Sequence, residues 1–107
     1  MLYCFGGSLP AVARVPIPES TFTLVVTKDP AKKLHYCQLF DHERPISGQV
    51  MLTGYMSEDL AVDRVESHGD QVNIFLSGGD YSVEVQVDSS RGLILRPTDG
   101  RPSAPSL

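Results

Sequence analysis

Apolar and polar residues alternate along residues 71–87, and this pattern predicts two β-strands joined by a tight turn. Alternation with a period of two places one set of side chains on each face of a strand. Gly78 and Gly79 suit the two central positions of a hairpin turn, because glycine adopts a positive φ at little steric cost. With these glycines as the loop, apolar residues oppose one another on one face. The predicted pairs are Leu76–Tyr81, Ile74–Val83 and Val72–Val85.

Further segments have the β-branched and aromatic composition that is typical of strands. Turn-forming residues separate them, such as the Asp29-Pro30 pair. Residues 57–66 are ambiguous, because Leu60, Ala61 and Val65 lie near helical spacing and a short helix is one interpretation. The preferred interpretation is a turn at 57–59 followed by a strand. The predicted strands besides the hairpin are 21–27, 34–40, 49–56, 61–67 and 93–96.

Six to seven short strands with frequent turn signals predict an all-β protein, an antiparallel meander that forms a small barrel or a sandwich. Parallel pairing is disfavoured, because no segment between the strands is suited to a crossover helix. We predict an extended N-terminal arm over 1–20, a single β domain over 21–97, and a disordered Pro- and Ser-rich tail over 98–107. We identify no internal repeat.

Composition narrows the possible functions of the 107-residue chain. Its formal net charge of −4 argues against nucleic-acid binding, because phosphate contacts require a basic surface. No segment approaches the roughly 20 apolar residues that span a bilayer. Cys4 and Cys37 could form one disulfide or remain two thiols. Residues 11–13 resemble a signal-peptidase site without a suitable leader, so the compartment stays open between the cytoplasm and export to the cell envelope.

Imidazole, thiolate and carboxylate groups lie close together around residues 35–43, and all three bind transition metals. His35 and Cys37 are two residues apart on a predicted strand, so they project to the same side. No Cys-x-x-Cys or His-Glu-x-x-His motif accompanies them, and we predict no bound cofactor. A metal- or small-molecule-binding protein is therefore an alternative hypothesis. Its candidate ligands are His35, Cys37, His42 and His68, with Asp41 and Glu43 beside them.

Nothing in the sequence places a nucleophile, a base and an orienting group together, so we predict no enzymatic activity. An acidic stretch at 58–70 is relieved only by Arg64. We interpret it as a solvated strand edge whose like charges discourage aggregation. A calcium site, although the spacing lacks an EF-hand loop, and a docking face for a basic partner are alternatives.

Phe75 falls on the polar face of the predicted hairpin, where an isolated aromatic residue either packs as core under the N-terminal arm or contributes to a contact patch. With Tyr55 and Met51 on a neighbouring strand it would form an apolar binding surface. We therefore predict a non-catalytic β domain that binds a protein partner or a second copy of itself. A structural protein of the cell envelope, or a secreted one, is a further alternative.

Overall fold

The computed structural model describes residues 10–79, 81–97 and 101–102, and these form ten β-strands and no helix. The predicted all-β fold class is therefore confirmed. No helix able to cross a membrane occurs in this part of the chain. Cys4, with the first nine residues of the predicted arm, lies outside the described residues. So do residues 98–100 and 103–107 of the predicted tail.

The strands form two antiparallel sheets that pack face to face as a sandwich, and they do not close into a barrel. The first sheet contains β1 (Ala11–Pro16), β2 (Phe22–Asp29), β3 (Leu34–Asp41), β4 (Arg44–Pro45) and β5 (Val50–Thr53). The second contains β6 (Ala61–His68), β7 (Gln71–Gly78), β8 (Tyr81–Asp88), β9 (Leu93–Pro97) and β10 (Arg101–Pro102). Strand β1 falls within the predicted arm, and β4 and β10 are short additions to the predicted set.

Each sheet is a meander of three long strands followed by two short ones. In the first sheet β1, β2 and β3 lie in sequence, and β4 and β5 share the remaining edge of β3. In the second, β6, β7 and β8 lie in sequence, and β9 and β10 share the remaining edge of β8. Strand β1 comes close to β6, and β5 comes close to β8. The long edge strands β1 and β6 therefore lie on the same side of the sandwich.

The core lies between the sheets and follows from the alternation of apolar residues along the central strands. Alternate residues of β3, β7 and β8 are fully buried, and the residues between them are half-buried. Apolar side chains removed from water are the main stabilising contribution in a domain of this size. The core side chains of the central strands are Leu24, Val26, Cys37, Leu39, Val72, Ile74, Leu76, Val83, Val85 and Val87.

The β7–β8 hairpin has the predicted faces, but its predicted register is wrong by two residues. Gly78 pairs with Tyr81 as the last residue of β7, so the tight turn begins at Gly79, which has a φ of 54°. The observed core pairs are Leu76–Val83, Ile74–Val85 and Val72–Val87. Gly78, the last residue of β7, packs closely against the backbone of Asp59. A Cβ at position 78 would lie 2.5 Å from the Asp59 carbonyl oxygen, so the site favours glycine. A shift of two residues keeps every side chain on its face.

The ambiguous segment forms strand β6, so the predicted strand is confirmed and the helix alternative is wrong. A β-bulge between Val62 and Arg64 interrupts its pairing with β7. Such a bulge inserts one extra residue into a strand. It therefore places Val62 and Val65, three residues apart, on the same face of the sheet. The helix alternative came from the spacing of Leu60, Ala61 and Val65, and the extra residue of the bulge disturbs the strand alternation that would have excluded it.

Candidate interaction surface

Strand β6 forms an exposed edge of the second sheet. It pairs with β7 on one side, and no strand of the described ranges pairs with its other side. Seven of its eight residues are exposed, and Glu66 is half-buried. An edge strand presents backbone N–H and C=O groups without partners, and these can pair with the strand of another chain.

The core-facing side of β6 is apolar and is not fully covered. Val62 and Val65 pair with Leu76 and Ile74, so they share the face that builds the core. Yet Val62 is 38% exposed and Val65 is 36% exposed, whereas Ile74 is completely buried. The apolar face of the second sheet therefore continues past the edge of the core and reaches solvent at β6.

The direction of the free backbone groups on β6 follows from its turn. A two-residue turn at 69–70 joins β6 to β7, and the flanking His68 and Gln71 form the first pair. Such a closing pair exchanges both backbone hydrogen bonds, and bonded and non-bonded pairs then alternate along the strands. Counting back from His68, every second residue bonds to β7. The residues between them, whose N–H and C=O point outward, are Val65 and Ser67.

Charged groups line the other face of β6. The Arg64 Nε atom lies 2.8 Å from the Glu66 Oε2 atom, and the guanidinium lies 3.9 Å from the centre of the Phe75 ring. The hydrogen bond from Arg64 lowers the pKa of Glu66. Ser77 donates a 2.8 Å hydrogen bond to Asp63. On this face Arg64 lies between Asp63 and Glu66 in sequence and contacts both Glu66 and the Phe75 ring.

Strand β1, the corresponding edge of the first sheet, has a different chemistry. Ile17 donates its amide to the Phe22 carbonyl of β2 at 2.9 Å, so alternation turns the Pro16 nitrogen toward the free edge. Proline has no N–H and is tolerated on an edge strand in that orientation. Proline on an edge also prevents another strand from pairing there. Pro16 therefore blunts the C-terminal end of the β1 edge, and of the two long edges on this side β6 is the one that contains no proline.

The structure separates the residues of the predicted apolar patch. Met51 lies on β5 and is 58% exposed, and Tyr55 follows that strand and is 59% exposed. Strand β5 pairs with β3 in the first sheet, whereas Phe75 lies on β7 in the second sheet beneath Arg64. Met51 and Tyr55 are thus close in sequence, but Phe75 is not on a strand that neighbours theirs. Whether any of the three binds a partner stays a prediction.

The predicted metal ligands are also dispersed. His35 and Cys37 project to the same side of β3, as expected, but both are completely buried in the sandwich. Burial raises the pKa of the Cys37 thiol to about 12. His42 lies in the exposed turn after β3, and His68 ends β6 in the other sheet. In the described ranges no group of three His, Cys, Asp or Glu side chains is arranged to hold a metal ion.

His35 has a structural role in the connection between the two sheets. Leu60 donates its amide to the His35 Nε2 atom at 3.1 Å, so Nε2 is unprotonated. The ring proton of neutral His35 then lies on Nδ1, which is 3.4 Å from the Thr53 hydroxyl. Lys28 ties the same connection by donating to the Ser57 carbonyl at 2.6 Å and to Asp59 at 2.8 Å. These contacts hold the chain that leads into β6.

A groove of about 720 Å³ lies on the outer face of the first sheet. Polar side chains line it together with Ala11, Val25 and Phe40, and His42 is the predicted ligand that reaches it. His35 and Cys37 point to the opposite face of β3, into the core. Binding of a small molecule by these three residues together stays a prediction.

Sequence reasoning did not single out Val62, Val65 and Arg64 as residues of an interaction surface. The bulge hides them, because it disrupts the alternation that identifies a strand face. The useful signal would have been the absence of proline from β6, in contrast to Pro16 in β1. No protein-family model, curated protein or solved structure matches this chain.

Proposed function

We propose that this chain is a non-catalytic β-sandwich that binds an extended segment of a protein, either a partner or a second copy, by adding a strand to β6. The observation that carries the proposal is the open edge of β6. Its backbone groups at Val65 and Ser67 point outward, and its apolar side remains more than a third exposed at Val62 and Val65. Strand addition is a common mode of peptide recognition, in which main-chain hydrogen bonds supply affinity and side-chain contacts supply specificity.

A single backbone atom allows a sharp test of this mode. Val65→Pro removes the outward N–H of β6 and leaves the amides that bond to β7 in place, an arrangement that β1 tolerates at Pro16. Val65→Thr is the matched control, since it keeps both the amide and the β-branched shape. We expect polypeptides captured by the wild-type chain to be captured by Val65→Thr and lost with Val65→Pro.

Hydrogen exchange supplies a second readout that identifies the surface. The amides of Val65 and Ser67 should exchange rapidly in the isolated domain and become protected in the complex. Capture that survives Val65→Pro, or a complex in which these two amides remain unprotected, would contradict strand addition. Circular dichroism on both variants establishes that each retains the β fold.

A further inference from the structure

We infer that the strand accepted by β6 is β6 of a second copy of this chain, so that two sandwiches share one continuous sheet across a two-fold axis. This inference rests on the proposed strand addition and names its partner. It depends on three properties of β6: the register that a two-fold axis allows, the charges on its outer face, and the apolar residue at its centre.

A two-fold axis normal to the sheet restricts the register. If residue i of one copy faces residue j of the other, the axis requires that residue j of the first copy faces residue i of the second. The residue at the centre therefore faces its own copy. Antiparallel partners that face each other project to the same side, which keeps the core-facing sides of both copies together. Residues 64–68 form the regularly paired part of β6 beyond the bulge. Of these, Arg64, Val65 and Glu66 are the candidates for the centre, because an axis at position 67 or 68 would set β6 against the 69–70 turn of the other copy.

The charges select one of these registers. Centring the axis on Arg64 places two guanidinium groups opposite each other, and centring it on Glu66 places two carboxylates opposite each other. Centring it on Val65 places Arg64 opposite Glu66 of the second copy, and the symmetry repeats that pair. Opposite charges facing across strands stabilise an antiparallel pair, and like charges destabilise it.

The backbone agrees with the Val65 register. The N–H and C=O of Val65 point outward, so the two copies of Val65 exchange two main-chain hydrogen bonds. Arg64 and Glu66 then occupy the non-hydrogen-bonded pairs on either side, where facing side chains approach most closely. On the core-facing side the two Val65 side chains, each 36% exposed in the single chain, cover one another.

The remaining long edge does not compete for the second copy. Pro16 removes a donor from the free edge of β1, and the short strands β4, β5, β9 and β10 occupy the opposite side of the sandwich. Short edge strands and proline both disfavour edge-to-edge pairing. Of the edges in the described ranges, β6 is thus the one that offers both a proline-free run of regularly paired residues, 64–68, and a self-complementary charge pattern.

Charge reversal provides the decisive test, measured by sedimentation equilibrium of the full chain across a wide range of concentrations. The wild-type chain should sediment at twice its mass when concentrated. Arg64→Glu and Glu66→Arg should each weaken this association by about tenfold or more, because each places like charges in both symmetric pairs. An equimolar mixture of the two variants should restore it, because both of its cross-strand pairs are again complementary.

The matched control is Glu43→Arg, an equal charge reversal in the exposed turn after β3, which should leave association unchanged. Thermal melts of each variant show whether it folds, and concentration-dependent protection of the Val65 and Ser67 amides in the wild-type chain provides a readout that needs no variant. A wild-type chain that stays monomeric, or a mixture that fails to associate, overturns the inference. If the wild-type chain is monomeric while a different polypeptide protects these amides, strand addition stands and the second copy is the wrong partner.

Discussion

Strands β1 and β6 begin with nearly the same five residues, yet they form edges of opposite character. Residues 11–15 read AVARV and residues 61–65 read AVDRV, with a single difference between them. Val15 pairs with Leu24 and Val65 pairs with Ile74, and both neighbours are completely buried. Val15 is nevertheless only 3% exposed, whereas Val65 is 36% exposed.

The residues that follow each run explain part of this difference. After Val15 the chain continues through Pro16 to Ile17, which is 2% exposed and extends the core. After Val65 it continues through polar residues into the turn that leads to β7. The comparison teaches that the sequence of these five residues alone does not determine how deeply their valines are buried. The environment depends on whether the next residues return to the core or remain in solvent.

The largest effect that follows from this comparison is on Val15. Val15→Ala removes two methyl groups from a fully buried site and leaves a cavity, so we expect the free energy of unfolding to fall by about 2 kcal/mol. Chemical denaturation at low protein concentration measures it. A loss no greater than that of Val65→Ala would show that the two valines are energetically alike and that the comparison fails.

The second expected effect is a pH dependence of stability. It arises at His35, which contacts the connection that leads from the first sheet to β6. Burial, and next the nearby Lys28 charge, lower the pKa of His35 from its usual value near 6.5, while Asp59 acts in the opposite direction. Protonated His35 would direct an Nε2–H at the Leu60 amide that now donates to it. The stabilising contribution of neutral His35 is therefore complete above the unfolded pKa and is lost as the pH falls below about 6.5, because the unfolded chain binds the proton first.

Unfolding free energies measured between neutral and mildly acidic pH test this expectation. The wild-type chain should lose stability on acidification, and His35→Gln should show a shallower slope because the titrating group is absent. Gln49→Asn, which alters an exposed side chain that does not titrate, serves as the control and should keep the wild-type slope. Equal slopes in the wild-type chain and His35→Gln would show that this contact does not govern the acid response.

The smallest expected effect is on Val65. Val65→Ala should reduce the free energy of unfolding of the single chain by less than about 1 kcal/mol, because the residue is partly solvated and its site is not enclosed. Denaturation at low protein concentration isolates this intramolecular term from association. A loss as large as that of Val15→Ala would mean that Val65 is enclosed in solution and that the edge of β6 is not open.

Much of the fold was predictable because its central strands obey simple alternation. Val72, Ile74 and Leu76 occupy every second position of β7, and this set their shared face even though the pairing register shifted by two residues. The displacement of the turn was not predictable, because the sequences Gly78-Gly79 and Gly79-Asp80 both suit the centre of a tight turn. The contact between Gly78 and the Asp59 backbone, which accompanies the observed turn, joins residues distant in sequence.

The candidate site was less predictable for a related physical reason. A bulge changes which residues share a face without leaving a distinctive composition. It disturbs the alternation of β6, so the spacing of Leu60, Ala61 and Val65 left a helix open. The buried positions of His35 and Cys37 depend on the second sheet covering β3, which no local pattern reveals. Their side-by-side projection was predicted correctly, but its direction into the core was not.

Pro16 has a consequence for the size of any assembly that this chain forms. In polymer chemistry a monomer with two reactive ends grows into a chain, whereas a monomer with one reactive end stops after a single coupling. Pro16 blunts β1, so β6 is the proline-free long edge in the described part of the chain, and a contact related by a two-fold axis uses that edge completely. Association through β6 would therefore terminate at a pair, and a fibre could not grow from it.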